Sequence, residues 1–211
     1  MLYIFENIVE IGQLSLQHLQ FVGISILIAI ILAVPQSLLI WKIAWLRVPL
    51  LGLMGVFYTI PSLALMILLV PLLGLNAQSV IAATVIYSQV ILVRNLVVAL
   101  EEIPLPVLEA ARAMGMGIWQ RWWWVQVPLI WPGFLAGVRL ATIVAIALGT
   151  IGAKFNAGGL GQLLFEGIQT NNYEKILAGS IAVTLLAWLL NIGLQILERY
   201  STPGFSKAKS A

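Results

Sequence analysis

The sequence predicts an all-α polytopic membrane protein with about five transmembrane helices, and three observations predict it. Of 211 residues, 61% are hydrophobic and only 9% charged, and the mean hydropathy is +1.03. A soluble domain carries roughly 25% charged residues. Five stretches, 19–40, 48–73, 77–100, 127–151 and 176–196, are predominantly apolar, and each reaches the roughly 20 residues a helix needs to cross the hydrocarbon core. Most basic residues gather between or just beyond these stretches.

Their distribution sets the orientation, because loops rich in Lys and Arg stay in the cytoplasm. Lys42 and Arg47 lie between spans one and two. Arg94, Arg112 and Arg121 lie at or between the ends of spans three and four, and Arg199, Lys207 and Lys209 follow span five. Those eight share one side, against Lys154 and Lys175 on the other, with Arg139 inside a span. The N-terminus is therefore expected outside and the C-terminus inside. Trp41, Trp45, Trp119, Trp122, Trp123, Trp124 and Trp131 fall near the same cytoplasmic interface, where an amphipathic ring sits well between headgroups and acyl chains. The net charge of +3 and pI near 9.4 thus mark inner loops, and nucleic acid is not expected as a partner.

Composition also excludes chemistry. There is no Asp, one His and no Cys, so thiol chemistry is absent and neither a metal site nor a Ser/His/Asp or paired-carboxylate site can be assembled. No GxxxxGK[ST] phosphate loop occurs, so ATP is not bound in the usual manner. The chain is not expected to be an enzyme or to hold a cofactor.

The elements follow in order. Residues 1–200 read as a single transmembrane domain, interrupted at 104–128, and 201–211 as a short cytoplasmic tail. The opening "MLYIFENIVEIGQ" carries two Glu and no basic residue, unlike a cleavable signal peptide. Leu2, Phe5, Ile8 and Val9 oppose Glu6, Glu10, Gln13 and Gln17, the pattern of a short amphipathic helix on the membrane surface. His18 is expected at the outer interface. In span two, Tyr58, Thr59, Pro61 and Ser62 lie near mid-membrane, and the proline disturbs the helix. Such breaks are tolerated where they face protein or a wet cavity, so this is either a polar-lined gate or a structural kink. In span three, Tyr87 could offer its ring to a passing cation, while Ser88 and Gln89 either join it or bond neighbouring helices. Tyr58, Pro61, Ser62, Tyr87 and Gln89 are the candidate pathway residues.

The interruption "EAARAMGMGIWQRWWWVQVP" spans 109–128. Pro104 and Pro106 preset a helix start, "VLEAARAM" propagates it, and Gly115 ends it in a left-handed turn. Val107, Ala110 and Met114 share a face, Ala111 and Ala113 keep the flanks thin, and Glu109 near the N-terminus is favoured by the helix dipole. A second short helix, "IWQRWWWV", is pinned by its indoles, and Pro128 marks re-entry into the bilayer. From physics alone, a close-fitting docking rod and a partnerless membrane-parallel linker are equally good readings.

The spacing separates them. Glu109-Ala110-Ala111, three residues, Gly115, nine residues, then Val125-Gln126-Val127-Pro128 resembles the "EAA" signature of permease subunits in binding-protein-dependent ABC importers. Valine stands for the signature's Ile and again for its Leu, both conservative swaps. The resemblance implies the type I importer permease fold, with this segment as the cytoplasmic coupling helix through Glu109, Ala110, Ala111, Gly115 and Pro128. It further implies separate ABC ATPase subunits carrying ATP and Mg, an extracellular or periplasmic solute-binding protein, and a second permease subunit, identical or sister, in the bacterial cytoplasmic membrane. "FYTIPSLALMILLVPLLGL" (57–75), "MGMGIWQR" (114–121) and "NAGGLGQLLFEGIQTNN" (156–172) look like the permeases of osmoprotectant importers, which carry glycine betaine, carnitine or choline.

Two further features carry open readings. Gly158, Gly159 and Gly161 give a tight outward turn that contacts the binding protein or closes the outer gate. Arg139 at mid-span costs about 2.5–3.5 kcal/mol unless it snorkels inward, which is preferred over a contact to the other subunit. The alternatives to the osmoprotectant reading are a permease for another small solute, such as an amino-acid derivative, and an ion-driven secondary transporter. The last would need a carboxylate relay in the spans. A non-transporting membrane anchor would leave Pro61 and the tyrosines without a role.

Overall fold

The computed structural model describes residues 2–201, which form ten α-helices: α1 (Leu2–Glu6), α2 (Ile8–Lys42), α3 (Ala44–Thr59), α4 (Ser62–Leu73), α5 (Ala77–Glu101), α6 (Leu105–Ala113), α7 (Ile118–Arg121), α8 (Val127–Gly152), α9 (Gly161–Gln169) and α10 (Tyr173–Ser201). Among the described residues four continuous helical paths are long and apolar enough to cross a membrane, and the bent pair α3–α4 is either a fifth, broken span or a re-entrant loop. The expected tail beyond Ser201, with Lys207 and Lys209, lies outside the described residues.

Helix α5 is the hub. Its Asn76 cap accepts from the Gln78 amide at 2.8 Å, satisfying one of the orphan donors at a helix start. Beyond that, α5 packs between α2 and α8, joining Val85, Leu92, Val93 and Val97 to Phe21, Ala29, Ala33, Val138 and Ala145. Lipid tails are as apolar as leucine, so close backbone approach rather than hydrophobicity holds such helices together. Glycines in α8 permit it. A Cβ on Gly133 would sit 2.7 Å from the Ala99 Cβ, and one on Gly137 2.9 Å from the Asn95 Cβ.

Three expectations are corrected. Residues 8–18 are not a separate surface helix: they form the first third of the 35-residue α2, because Leu14 finds tertiary partners in Leu160 and Leu163. Span two is not one kinked helix. Helices α3 and α4 meet at 95°, since Ile60, just before Pro61, is forced into an extended conformation (φ −65°, ψ 126°). The tryptophan helix is not separate from span four either. Residues Ile118–Phe155 form one path, in which residues Trp122–Gln126 widen into a π-turn and the Val127 amide donates to the Trp122 carbonyl. That wider turn directly precedes Pro128, which has no N–H to continue an α-ladder.

The segment between α8 and α10 is also more ordered than a loop. It contains a 3₁₀ turn (Ala153–Phe155) and α9, which packs on α10.

Candidate functional site

The interrupting segment is built as a short rod on a fixed base. Pro104 is extended (ψ 127°) and Pro106 lies in the first turn of α6. At the other end Gly115 is left-handed (φ +78°). Its amide donates to the Arg112 carbonyl at 2.9 Å, and the Met116 amide reaches back to the Ala111 carbonyl at 3.2 Å. These are the two bonds of a Schellman cap, a geometry that favours glycine. A Cβ on Gly115 would meet nothing within 4 Å, so the residue is dictated by backbone conformation and not by crowding inside this chain.

The two faces of α6 differ. Ala111 is 1% exposed, and Leu108 packs on a cluster of Leu96, Leu100, Ile103 and Ile130. The rod therefore rests on the C-terminal end of α5 and the N-terminal end of α8, with Leu38 and Trp41 of α2 alongside. Glu109 and Ala110 point outward and are exposed, and so is Met114, at 69%. The signature alone assigns both alanines to the coupling surface. The structure divides them: Ala110 faces out, whereas Ala111 lets the rod seat closely on its own chain. Trp122 is half-buried in that same cluster, while Trp119, Trp123 and Trp124 are exposed.

A second constellation forms at the elbow. Tyr58, at the end of α3, and Tyr87, on α5, stand with ring centroids 5.5 Å apart and planes tilted by 58°. The Tyr87 hydroxyl donates to the Ile60 carbonyl, the acceptor left free where the helix breaks. Pro61 and Ser62 complete the bend. Gln89 is not part of this group: its Nε2 donates to the Ala29 carbonyl at 2.8 Å, tying α5 to α2.

The glycines after α8 form the expected tight turn, with Gly158 at φ +79° and Gly159 at φ +78°. It folds back on its own chain. The Gly159 amide donates to Gln17 Oε1 at 3.3 Å, and a Cβ there would lie 2.9 Å from the Phe21 ring and 3.0 Å from His18 Nδ1. Gly161 opens α9 against the Thr150 carbonyl. His18 is consequently not interfacial. It is fully buried, with Nε2 3.2 Å from the Ile146 carbonyl and its ring 4.7 Å from that of Phe21. Nothing near His18 in sequence signals this, because its neighbours come from α8 and the glycine turn.

Ion pairs absorb two of the isolated charges. Arg47 meets Glu101 at 2.6 Å, joining α3 to α5. Arg139 lies 3.6 Å from Glu198, near the C-terminal end of α10, and both side chains are half-buried. Among the described residues no group of three His, Cys, Asp or Glu could hold a metal.

Comparison with known proteins bears on these sites. Residues 25–207 match the family described as binding-protein-dependent transport system inner membrane component. The osmoprotectant import permease protein OsmW of Salmonella typhimurium is 36% identical over 95% of this chain and 96% of its own length. The glycine betaine/carnitine/choline transport system permease protein OpuCB of Bacillus subtilis is 31% identical over 89% of this chain and 86% of its own. Among solved structures, an inward-facing form of the MetNI methionine ABC transporter superposes with a TM-score of 0.79 at 21% identity, covering 91% of this chain and 96% of that one. That likeness establishes the fold alone.

Proposed function

The chain belongs to the binding-protein-dependent transport inner membrane components, and from that premise we propose that it is the permease subunit of an ATP-driven importer of quaternary-ammonium osmoprotectants. Glycine betaine, carnitine and choline are the solutes concerned, as they are for the relatives by their names. Family membership sets aside the ion-driven alternative.

The observation that carries the coupling role is the two-faced α6. Its inner face, Leu108 and Ala111, rests on the ends of α5 and α8, and its outer face presents Glu109, Ala110 and Met114. A rod so seated passes a push directly to the hub helix and to α8. A separate ATPase, binding and hydrolysing ATP, grips the outer face, and Gly115 and Pro128 bound the moving unit. The N-terminus is outside, the C-terminus inside, and two such subunits, identical or sister, enclose the path about a two-fold axis.

Solute is delivered from outside by a binding protein, with Gly158, Gly159 and Gly161 at the outer entrance. It then passes the elbow. Tyr58, exposed at the elbow, presents a ring face there, with the buried Tyr87 ring tilted against it, and a quaternary ammonium is drawn to such a face by about 0.5–2 kcal/mol. Tyr87, its hydroxyl engaged by Ile60 and its ring packed in the core, positions Tyr58 rather than meeting the solute itself. Vanadate-sensitive betaine uptake into vesicles holding this chain with its co-purified ATPase tests the proposal. Uptake driven by an ion gradient without ATP would overturn it, as would labelling of residues 109–121 from the exterior.

A further inference from the structure

Two adjoining cavities lie where α6, α7 and the end of α2 converge, and their linings differ in kind. One, of about 440 Å³, is lined by three cations, Lys42, Arg112 and Arg121, and by the indoles of Trp41, Trp119 and Trp122. No carboxylate lines it, and among the described residues none of the three cations forms an ion pair. Arg121 is held in place by a bond from its guanidinium to the Met116 carbonyl at 3.4 Å, which leaves its other N–H groups free. The second cavity, of about 250 Å³, is almost wholly apolar, with Val34, Ile130 and Phe134 among its walls. Leu38 and Trp122 line both.

A charged chamber opening beside a greasy one suits an amphiphile with an anionic head. Free phosphate would use only the first chamber. A zwitterionic choline headgroup would bring an ammonium toward three positive charges. Tryptophan belongs at the depth of lipid headgroups, and basic side chains near that surface favour anionic lipid. We propose that these paired cavities bind a phospholipid of net negative charge, its phosphate between Lys42, Arg112 and Arg121 and an acyl chain along Leu38 and Phe134. The lipid would tie the last turn of α6 to the end of α2, and so brace the base of the rod. The inference rests on residues 104–128 lying at a membrane interface, as proposed above, but its test requires neither transport nor knowledge of which face that is.

The purified full chain is to be titrated with phosphatidylglycerol and with phosphatidylcholine, and bound lipid counted by native mass spectrometry. Phosphatidylglycerol should be retained preferentially, and millimolar inorganic phosphate should not displace it. The triple change Lys42→Gln, Arg112→Gln, Arg121→Gln should weaken retention by about fivefold per charge removed. The charge-keeping set Lys42→Arg, Arg112→Lys, Arg121→Lys should retain it, which separates lost charge from lost folding. Equal retention of the two lipids would overturn the proposal, as would undiminished binding by the glutamine variant or displacement by phosphate. Expulsion of the lipid on adding the ATPase would also overturn it, by making the pocket a protein seat.

Discussion

Helices α5 and α3 are both apolar, yet 14 of the 25 residues of α5 are buried and none of the 16 described residues of α3 is. Shape accounts for the difference better than greasiness. Helix α5 offers Ala99, Asn95 and Val80 to Gly133, Gly137 and Gly152 of α8. Helix α3 offers Leu53, Val56 and Phe57, which remain exposed. Lipid solvates large apolar side chains as well as a protein does, so only surfaces that let backbones approach closely gain by packing. The α2–α5–α8 core is therefore complete within one chain. Helix α3, α10 and the outer face of α6 keep most of their surface exposed.

That contrast can be broken most forcefully at Gly137. Gly137→Leu should destabilise the core by about 1–3 kcal/mol through overpacking, read as a lower melting temperature in detergent. Gly52→Leu in α3, where a Cβ meets nothing within 4 Å, should leave it unchanged. Equal losses at the two positions would mean that α3 packs as α5 does.

Next in size is Gly115. A left-handed non-glycine residue costs about 1–2 kcal/mol, and Gly115→Leu adds bulk on a surface that is open within this chain. Transport should be abolished and ATPase association weakened, while Gly115→Ala loses only the turn's share. A leucine variant with normal uptake and normal pull-down would remove α6 from the coupling role.

The elbow gives a smaller, more selective effect. Tyr58→Leu with Tyr87→Leu should impair uptake without loss of assembly. Tyr87→Phe, which keeps the ring and forgoes one hydrogen bond to Ile60, should cost about 1 kcal/mol of stability and leave uptake largely intact. If the phenylalanine variant fails to transport, the hydroxyl and not the ring matters. Smallest is Arg47→Gln. Its pair with Glu101 is partly exposed, so the loss should fall within about 0–1 kcal/mol; a larger drop in melting temperature would show that α3 leans on α5 more than its exposure suggests.

Much of the rod is legible in the sequence, because its signals are local. Prolines start it, alanines propagate it, and Gly115 supplies the one backbone conformation that ends it. Span three is legible for the same reason, to within a residue at its inner end. The elbow is half legible. Pro61 announces a break, but a proline says only that hydrogen bonds are interrupted, and the 95° angle depends on what α3 and α4 pack against. Gln89 shares a stretch of three residues with Tyr87, yet a helix turns neighbours in sequence toward different partners. The separation of Ala110 from Ala111 is hidden likewise, since adjacent alanines look alike until one is buried and the other exposed.

By itself the sequence determined that this chain is helical and rich in apolar segments of membrane-spanning length, and where the rod of α6 begins and ends. Those properties follow from apolar length, from backbone groups that must bond within their own segment in lipid, and from turn residues acting over a few positions. Only the tertiary structure decided that α2 runs unbroken from Ile8, that His18 is buried beneath the glycine turn, and that basic and apolar cavities adjoin at the foot of α6. Each of those depends on side chains distant in sequence meeting at contact distance, and in lipid hydrophobicity does not say which of them will.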